Sequence, residues 1–273
     1  YRALWLTGVL ELLLERGYRW AFVSNIDNLG GTVDPRVLGY LAREGLDFAM
    51  EVTTRTRADI KGGPLVRFDG RLMLLEGSQV EPQHLEDFRD LETFDVFNTN
   101  SLWWRLEAVL QRLQGGGVEM PMIVNPKTVE GERVVQLEQA MGAAICAFPR
   151  AVGIRVPRRR FAPVKATWDL LPVRSDAYDL LPDWSIRPSP ARAAELGPPV
   201  VQLDPRHYQG IDDFEARFPD PPSMVACTSL TVEGDLRFGA GVRLEGDVVL
   251  RNRSTEQRAV PDGAVFRGGT HEI

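Results

Sequence analysis

A six-residue repeat of apolar residues runs through the C-terminal part of the chain and restricts its fold more than any other feature. The first series is Leu230, Leu236, Val242 and Val248, and the second is Val232, Phe238, Leu244 and Leu250. This interval matches neither the period of a helix nor the simple alternation of a single strand. It predicts a parallel β-helix in which each side of a coil takes six residues, the alternative being an ordinary β-meander.

The chain before residue 180 alternates between short apolar stretches and amphipathic ones. The predicted strands are 19–25, 46–53, 94–100, 120–126 and 151–157, and the predicted helices are 3–17, 31–44, 82–92, 101–114 and 134–148. Strands that alternate with helices indicate an α/β domain with a mostly parallel sheet buried on both faces. Local signals support parts of this pattern: Asp34 and Pro35 are typical of a helix start, and Asp69-Gly70 predicts a hairpin turn.

Composition shifts to a proline-dense stretch between Leu180 and Pro205, which predicts an extended linker. We therefore expect three regions: residues 1–182 as the α/β domain, 183–222 as a linker with a short helix, and 223–273 as the β-helix. The chain starts at Tyr1 instead of Met and a predicted helix follows at once, so we expect it to be the C-terminal portion of a longer protein.

Charge and cysteine usage restrict the class of function. The net charge of −6 and the pI of about 5.3 argue against a nucleic-acid partner, because no basic field is available for phosphates. The run Arg158-Arg159-Arg160 is typical of a solvated turn. Cys146 and Cys227 are predicted to be reduced core thiols, which together with the lack of a membrane-length apolar run predicts a cytoplasmic protein.

Polar residues gather where predicted strands end, which is where open α/β sheets bind ligands. Asn25 and Asp27 follow the first strand, Asn98 and Asn100 close the third, and Lys165 follows the last. A carboxylate suits Mg²⁺, which also takes substrate phosphate oxygens, and a lysine acts as a point charge for phosphate. The pattern indicates phosphate transfer on a hydroxylated substrate, although asparagine and aspartate are also common in turns.

Several motifs resemble, in order, those of the UTP–glucose-1-phosphate uridylyltransferase (UDP-glucose pyrophosphorylase) family. They are "FVSNIDNLGGTVD", "TRTRADIKGG", "VFNTNSLW", "IVNPKTV", "VVQLEQAMGAAI" and "VPRRRFAPVKATWDLL", followed by the tail "LTVEGDLRFGAGVRLEGDVVL". The resemblance implies a Rossmann-like nucleotidyltransferase mixed sheet, here partial, followed by a C-terminal left-handed parallel β-helix. The family's glycine-rich nucleotide loop and its His-Gly-Asp element have no counterpart in this sequence.

The resemblance also implies roles for individual residues. Asp27 would coordinate Mg²⁺, and Lys165 would be the main catalytic cation. Asn25 and the backbone of Ile26 would help to hold the sugar phosphate. The glucose would be contacted by Asn100, with Glu76 and the backbone of Gly62 and Gly63 as further candidates.

The implied reaction is the Mg²⁺-dependent, reversible transfer of UMP from UTP to glucose 1-phosphate, which gives UDP-glucose and pyrophosphate. Two alternatives stay open. One is a pyrophosphorylase for another UDP-sugar or for a UDP-N-acetylhexosamine, which would need an apolar recess near Asn100 and Glu76. The other is a non-catalytic phosphosugar-binding or assembly protein that forms homo-oligomers through the β-helix.

Overall fold

The computed structural model describes residues 1–55 and 62–273, which form two compact units. The first unit is Tyr1–Ile26 with Gly31–Phe161, and the second is Asp27–Gly30 with Ala162–Ile273. The chain therefore passes between the units after Ile26, after Gly30 and after Phe161. The predicted domain boundaries at residues 182 and 222 remain predictions.

The first unit is a mixed α/β structure. Its helices are α1 (Arg2–Leu6), α2 (Val9–Glu15), α3 (Pro35–Arg43), α4 (Leu85–Arg89) and α5 (Leu106–Gln114). Its strands are β1 (Trp20–Val23), β2 (Phe48–Thr54), β3 (Leu65–Phe68), β4 (Arg71–Leu74), β5 (Val96–Arg105), β6 (Met122–Val129), β7 (Glu132–Gln139) and β8 (Ala151–Arg155). Short 3-10 helices occur at Gly77–Gln79, Pro82–His84, Met141–Ala147 and Arg158–Arg160.

Four strands of this unit form one sheet in the order β1-β5-β2-β8. The pairs β1–β5 and β5–β2 are antiparallel, and β2–β8 is parallel. The prediction of a mostly parallel sheet is therefore wrong for the described part of the first unit, whereas the mixed sheet implied by the family resemblance is confirmed. Alternation of strands and helices along the chain does not determine the direction in which strands pair, because that depends on partners remote in sequence.

Two local signals give the predicted structures. The Asp34 side chain accepts a hydrogen bond from the backbone N–H of Arg36 at 2.9 Å and caps α3, whose first residue is Pro35. Asp69 and Gly70 have φ angles of 46° and 77°, the left-handed pair that a tight hairpin between β3 and β4 requires. Both features depend on residues within a few positions of one another.

The helix predicted over residues 101–114 starts only at Leu106, because β5 continues to Arg105. Trp103 and Trp104 project to opposite faces of the sheet, and both are buried. Trp103 packs in a cluster with Leu41, whereas Trp104 packs in the larger cluster around Phe48. Successive side chains point to opposite faces in a strand, so a central strand can bury both tryptophans. Residues 101–105 therefore belong to β5 and not to the first turn of the predicted helix.

The helix predicted over residues 134–148 is also wrong. Its first part is the strand β7, which pairs with β6 in an antiparallel hairpin. The turn is Glu130-Gly131, with φ angles of 51° and 86°. Only Met141–Ala147 is helical, as a 3-10 segment. The adjacent β-branched pair Val134-Val135 favours the strand, and the amphipathic spacing of this stretch is also compatible with alternation along a ribbon.

The single N-terminal helix predicted over residues 3–17 is divided into α1 and α2. Gly8, with a φ angle of 73°, interrupts it, and Gly17 with a φ angle of 84° follows the end of α2 as predicted. In the part of the chain that the structure describes, no helix has the length and apolarity required to cross a membrane.

The second unit contains the C-terminal strands. Its helices are α6 (Thr167–Arg174), α7 (Pro205–Tyr208) and α8 (Ile211–Arg217). Its strands are β9 (Tyr178–Leu180), β10 (Ile186–Pro188), β11 (Val200–Leu203), β12 (Ser223–Glu233), β13 (Leu236–Phe238), β14 (Arg243–Arg251), β15 (Arg258–Val260) and β16 (Val265–Glu272). One sheet has the order β11-β12-β14-β16 and a second pairs β13 with β15, with every pair in these two sheets parallel.

The register of the parallel strands explains the six-residue repeat. Leu230 lies opposite Val248 and Val232 lies opposite Leu250, a spacing of 18 residues, which is three of the six-residue intervals. All eight predicted repeat residues are buried in one core cluster. The repeat therefore predicted correctly both the parallel stacking and the side chains that form the core.

The proline-dense stretch is not an unpaired linker in this unit. β9 and β10 form a small hairpin, and β11 extends the C-terminal sheet by pairing with β12. Val201 and Leu203 of β11 are buried in the same core as the repeat residues. Prolines at both ends of a short edge strand are compatible with pairing along its other side, which composition alone does not reveal.

Both cysteines are free thiols, as predicted from their sequence context. Cys227 is fully buried in the core of the second unit, and its burial raises the pKa of the thiol to about 11. Cys146 is half-buried in the first unit.

Candidate functional site

Two segments of the second unit, here called the arms, contain the candidate catalytic residues Asp27 and Lys165. The arms are residues 27–30 and residues 162–165. The backbone N–H of Val164 donates to the carbonyl oxygen of Asp27 at 2.9 Å. Likewise, the N–H of Leu29 donates to the carbonyl oxygen of Ala162 at 3.1 Å. The fold therefore brings the backbone of Asp27 next to the residue that precedes Lys165, although the two are far apart in sequence.

Asn28 organises the contact between the arms. Its side chain is buried, and its Oδ1 atom accepts hydrogen bonds from the N–H of Gly30 at 3.1 Å and from the N–H of Ala162 at 2.9 Å. An isolated antiparallel bridge also pairs Asn28 with Pro163. One amide side chain thus fixes the turn of the first arm and ties it to the second.

Lys165 is exposed at the end of the second arm. The carboxylate of Asp169, in the first turn of α6, accepts hydrogen bonds from the N–H of Lys165 at 2.9 Å and of Ala166 at 3.0 Å. Within residues 1–55 and 62–273, no hydrogen bond or ion pair engages the Lys165 ammonium group or the half-buried Asp27 carboxylate. Both charged groups are held through their backbones, so their side chains stay available to a ligand.

Asn25 and Ile26 end the first segment of the first unit and immediately precede Asp27. Both are exposed, and Ile26 has 100% of its surface accessible. The hydroxyl of Ser24 donates to the carbonyl oxygen of Asn25 at 3.4 Å. The side chain of Ile26 is therefore not packed against the protein, and a role for its backbone remains a prediction.

The remaining candidate residues lie together in the first unit, in a group here called the asparagine cluster. Its members are Gly63, Glu76, Asn98 and Asn100. β5 bulges between Asn98 and Leu102 opposite β2, and Asn100 takes a φ angle of 57° there. The Nδ2 atom of Asn98 donates to Oδ1 of Asn100 at 2.5 Å, and the N–H of Asn100 donates to Oδ1 of Asn98 at 2.8 Å. The bulge and this reciprocal pair turn Asn100 out of the ladder into solvent.

Gly63 packs closely against this group. Its carbonyl oxygen accepts a hydrogen bond from the N–H of Asn98 at 2.9 Å. A Cβ atom at Gly63 would lie 2.9 Å from the Leu75 carbonyl oxygen and 3.1 Å from Oε1 of Glu76, so this position requires glycine. Glu76 is half-buried, and this burial raises the pKa of its carboxyl group.

Gly62 is half-buried next to Gly63, but residues 56–61 of the "TRTRADIKGG" motif lie outside the described residues. The structure thus places five of the sequence-predicted residues in two groups, and Asn25 and Ile26 directly precede the first arm. The arms contain Asp27 and Lys165, and the asparagine cluster contains Asn100, Glu76 and Gly63. In the described part of the chain, no group of three or more His, Cys, Asp and Glu side chains is arranged to hold a metal ion.

Sequence reasoning missed two residues that hold these groups in place, Asn28 and Asp169, and it named Asn98 without its role in orienting Asn100. Asn28 and Asn98 lie within the quoted motifs, but their roles follow from hydrogen bonds that cross between distant segments or span a bulge. The prediction of a solvated basic turn at 158–160 is wrong for Arg160, which is buried and donates to the buried carboxylate of Glu51. A charge run does not reveal a buried partner that is remote in sequence.

The chain resembles uridylyltransferases in sequence. The family model described as UTP–glucose-1-phosphate uridylyltransferase matches residues 1–245. The enzyme of that name from Hordeum vulgare is 45% identical over 260 residues, which cover 95% of this chain and 54% of the relative. The enzyme from Solanum tuberosum is 43% identical over 260 residues, with 95% and 54% covered. The chain therefore spans about half the length of these curated relatives.

Solved structures agree with the sequence matches. A UDP-glucose pyrophosphorylase from Leishmania major, solved in open and closed forms, superposes with a TM-score of 0.85 at 43% identity. The match covers 99% of this chain and 61% of that one. A UDP-glucose phosphorylase from Trypanosoma brucei superposes with a TM-score of 0.83 at 40% identity, covering 99% and 59%.

Proposed function

Because the chain belongs to the UTP–glucose-1-phosphate uridylyltransferase family, we propose that it carries the sugar-phosphate and metal part of such an active site. The reaction is the reversible transfer of UMP from UTP to glucose 1-phosphate, which gives UDP-glucose and pyrophosphate. The observation that supports this most directly is the backbone pairing of the arms, in which Val164 N–H donates to Asp27 O at 2.9 Å. This pairing holds the backbone of Asp27 next to Val164, the residue before Lys165, so the segments that bear the carboxylate and the ammonium group lie side by side.

The charges in the arms suit a phosphate-transfer reaction. A phosphate oxygen of glucose 1-phosphate attacks the α-phosphorus of UTP, the bond to the β-phosphate breaks, and pyrophosphate leaves with the electron pair. Catalysis of such a displacement consists mainly of positioning and charge stabilisation, and no covalent enzyme intermediate is needed. The Lys165 ammonium group stabilises the negative charge of the phosphates.

The residues of the arms are compatible with Mg²⁺. This ion commonly takes one or two protein carboxylates and completes its shell with substrate phosphates and water. Asp27 supplies one half-buried carboxylate without a hydrogen-bond partner among the described residues, which fits a metal that binds together with the substrates. When bound there, Mg²⁺ would neutralise phosphate charge and orient the reacting groups.

The asparagine cluster is proposed to bind the glucose. The reciprocal hydrogen bonds between Asn98 and Asn100 orient the two amide groups, which can donate to and accept from sugar hydroxyls. Glu76 and the backbone of Gly62 and Gly63 supply further polar groups. Asn25 and the backbone of Ile26 would contact the sugar phosphate, since both are exposed directly before Asp27.

For the C-terminal strands we propose a left-handed parallel β-helix that mediates homo-oligomer formation. The 18-residue register of β12 with β14 supports three-sided coils, and β16 is the last strand of its sheet. An edge strand with unpaired backbone groups is a common surface for association. Cytoplasmic location stays a prediction from the sequence.

The proposed activity can be tested by measuring pyrophosphate release from UTP with a panel of sugar 1-phosphates. The expected result with the full-length protein is Mg²⁺-dependent release with glucose 1-phosphate. A preference for another hexose or for an N-acetylhexosamine 1-phosphate would favour the alternative pyrophosphorylases. Binding of glucose 1-phosphate without release of pyrophosphate by the full-length protein would favour a non-catalytic phosphosugar-binding role.

A further inference from the structure

The first unit contains a buried ion pair between Glu51 of β2 and Arg160. The Glu51 residue has 0% of its surface exposed and Arg160 has 8%. The Nε and Nη2 atoms of Arg160 donate to the two carboxylate oxygens of Glu51 at 2.8 and 2.7 Å. The indole N–H of Trp103 donates to the same carboxylate at 2.9 Å. The pair is therefore bidentate, and a third donor further restricts the carboxylate.

Arg160 also binds a second segment of the chain. Its Nη1 atom donates to the hydroxyl of Thr32 at 3.2 Å, and its Nη2 atom donates to the carbonyl oxygen of Thr32 at 2.7 Å. Arg160 thus links Glu51 by hydrogen bonds to the loop that precedes α3. All of these residues belong to the first unit.

Thr32 and Arg160 are the residues from which the two arms extend. Thr32 follows Gly30, the last residue of the first arm, after one intervening residue. Arg160 precedes Ala162, the first residue of the second arm, by the same interval. The arms are hydrogen-bonded to each other near Asn28. Thr32 and Arg160, which lie next to the arms in the chain, are also hydrogen-bonded to each other.

We infer that Glu51 is a positioning residue for the reaction: by fixing Arg160 it sets the relative position of Asp27 and Lys165. The kinetic part of this inference rests on the proposed function. A buried ion pair is a weak source of stability, because desolvation offsets most of its attraction, and apolar residues often replace such pairs without loss. Its directional hydrogen bonds do, however, restrict geometry, which a reaction that depends on alignment requires.

The geometric part can be tested on this chain without any enzymatic assay. Glu51→Gln keeps the side-chain shape and removes the charge. We expect the amides of Leu29 and Val164, which join the arms, to exchange with solvent about tenfold faster or more. The amides of β12 and β14 in the core of the second unit serve as the internal reference and should keep their rates. Unchanged exchange at both arm amides would overturn the inference.

Asp47 provides a matched control. It is buried to a similar degree in the same unit, with 7% of its surface exposed, and its carboxylate pairs with Arg150 and Arg105. Asp47→Asn should leave the arm amides protected, although it also removes a buried charge. Equal deprotection of the arms in the Glu51 and Asp47 variants would mean that any loss of stability opens them, which contradicts a specific positioning role.

Kinetics of the full-length protein test the catalytic consequence. At a temperature where Glu51→Gln is folded, kcat should fall about tenfold or more while the KM for UTP stays within about twofold. The Asp47→Asn control should keep the wild-type kcat. Wild-type kcat in folded Glu51→Gln would overturn the inference, whereas an inactive wild-type protein would reject the proposed function and leave the exchange result to decide the positioning of the arms.

Thr32→Val is a second variant in case Glu51→Gln does not fold. It removes only the hydroxyl that accepts from Arg160 and keeps the carbonyl acceptor and the ion pair. We expect a smaller effect, about two- to fivefold faster exchange at Leu29 and Val164. Wild-type exchange in this variant would contradict a role of the Thr32 contact in holding the first arm.

Discussion

Among the described residues, the candidate residues of the arms form hydrogen bonds through their backbones and not through their charged side chains, whereas Asn98 and Asn100 of the asparagine cluster bind each other through their side chains. Asp27 pairs through its carbonyl oxygen and Lys165 through its amide N–H, so both charged groups remain available. Asn98 and Asn100 instead bind each other through their side chains. This difference suits different tasks: formal charges act on phosphates with little need for direction, whereas neutral amides must be oriented to recognise hydroxyl groups.

The largest effect is expected from Lys165→Ala in the arms. Removing the ammonium group should lower kcat about 100- to 1,000-fold, because charge on the transferring phosphates loses its counterion. Lys165 is exposed, so the thermal unfolding midpoint should hardly change. Steady-state kinetics and calorimetry measure the two quantities. Lys127→Ala, on exposed β6, is the matched control, and wild-type turnover in Lys165→Ala would exclude this residue from the mechanism.

Asp27→Asn tests whether the half-buried carboxylate of the arms binds the metal. The substitution should raise the Mg²⁺ concentration for half-maximal rate about tenfold or more, because an amide is a weaker ligand than a carboxylate. The measurement is the rate at fixed UTP as Mg²⁺ is varied. Asp69→Asn makes the same chemical change in the hairpin turn between β3 and β4 and should leave the titration unaltered. An unshifted titration in Asp27→Asn would rule this carboxylate out as a ligand.

Substitutions at Asn100 separate orientation from contact in the asparagine cluster. Asn100→Ala should raise the KM for glucose 1-phosphate about three- to tenfold and should cost about 1 kcal/mol of stability, because its φ angle of 57° is unfavourable for alanine. Asn100→Gly should show the same KM but a higher unfolding midpoint than Asn100→Ala, since glycine tolerates this conformation. Wild-type KM in both variants would show that the amide does not contact the sugar.

The smallest expected effect concerns the pH dependence of stability at Glu76. Burial raises the pKa of this carboxyl group in the folded state above its ordinary value of 4.5. The contribution of Glu76 to stability is therefore fully present below the ordinary pKa and is lost as pH rises through the raised value. Glu76→Gln should show a smaller fall in the unfolding midpoint across that window. Identical pH profiles of both proteins would mean that the folded state does not perturb this group.

Structure that depends on neighbouring residues could be predicted well. The cap at Asp34, the Asp69-Gly70 turn and the apolar repeat from Leu230 to Leu250 each have a local or periodic cause, and the structure confirms all three. The motifs also located Asp27 and Lys165 on segments that do pair. Periodicity suffices in these cases because backbone preference and side-chain direction are set within a few residues.

Structure that depends on distant partners could not be predicted in this way. The extension of β5 to Arg105 follows from strands on both sides of it, and β7 follows from its pairing with β6. The sequence around Asn28 does not indicate that Ala162 is its hydrogen-bond partner. Likewise, the sequence around Arg160 does not indicate that it pairs with Glu51.

The sequence by itself determined the family, the stacked apolar core of the C-terminal strands and the identity of the charged candidate residues. Only the tertiary structure decided the direction of the strands in the first unit, the pairing of the arms and the buried ion pair between Glu51 and Arg160. The physical reason is that hydrogen-bond partners and burial are properties of surfaces that meet after folding. When two segments are more than a hundred residues apart, the sequence around either one does not show that they will be in contact.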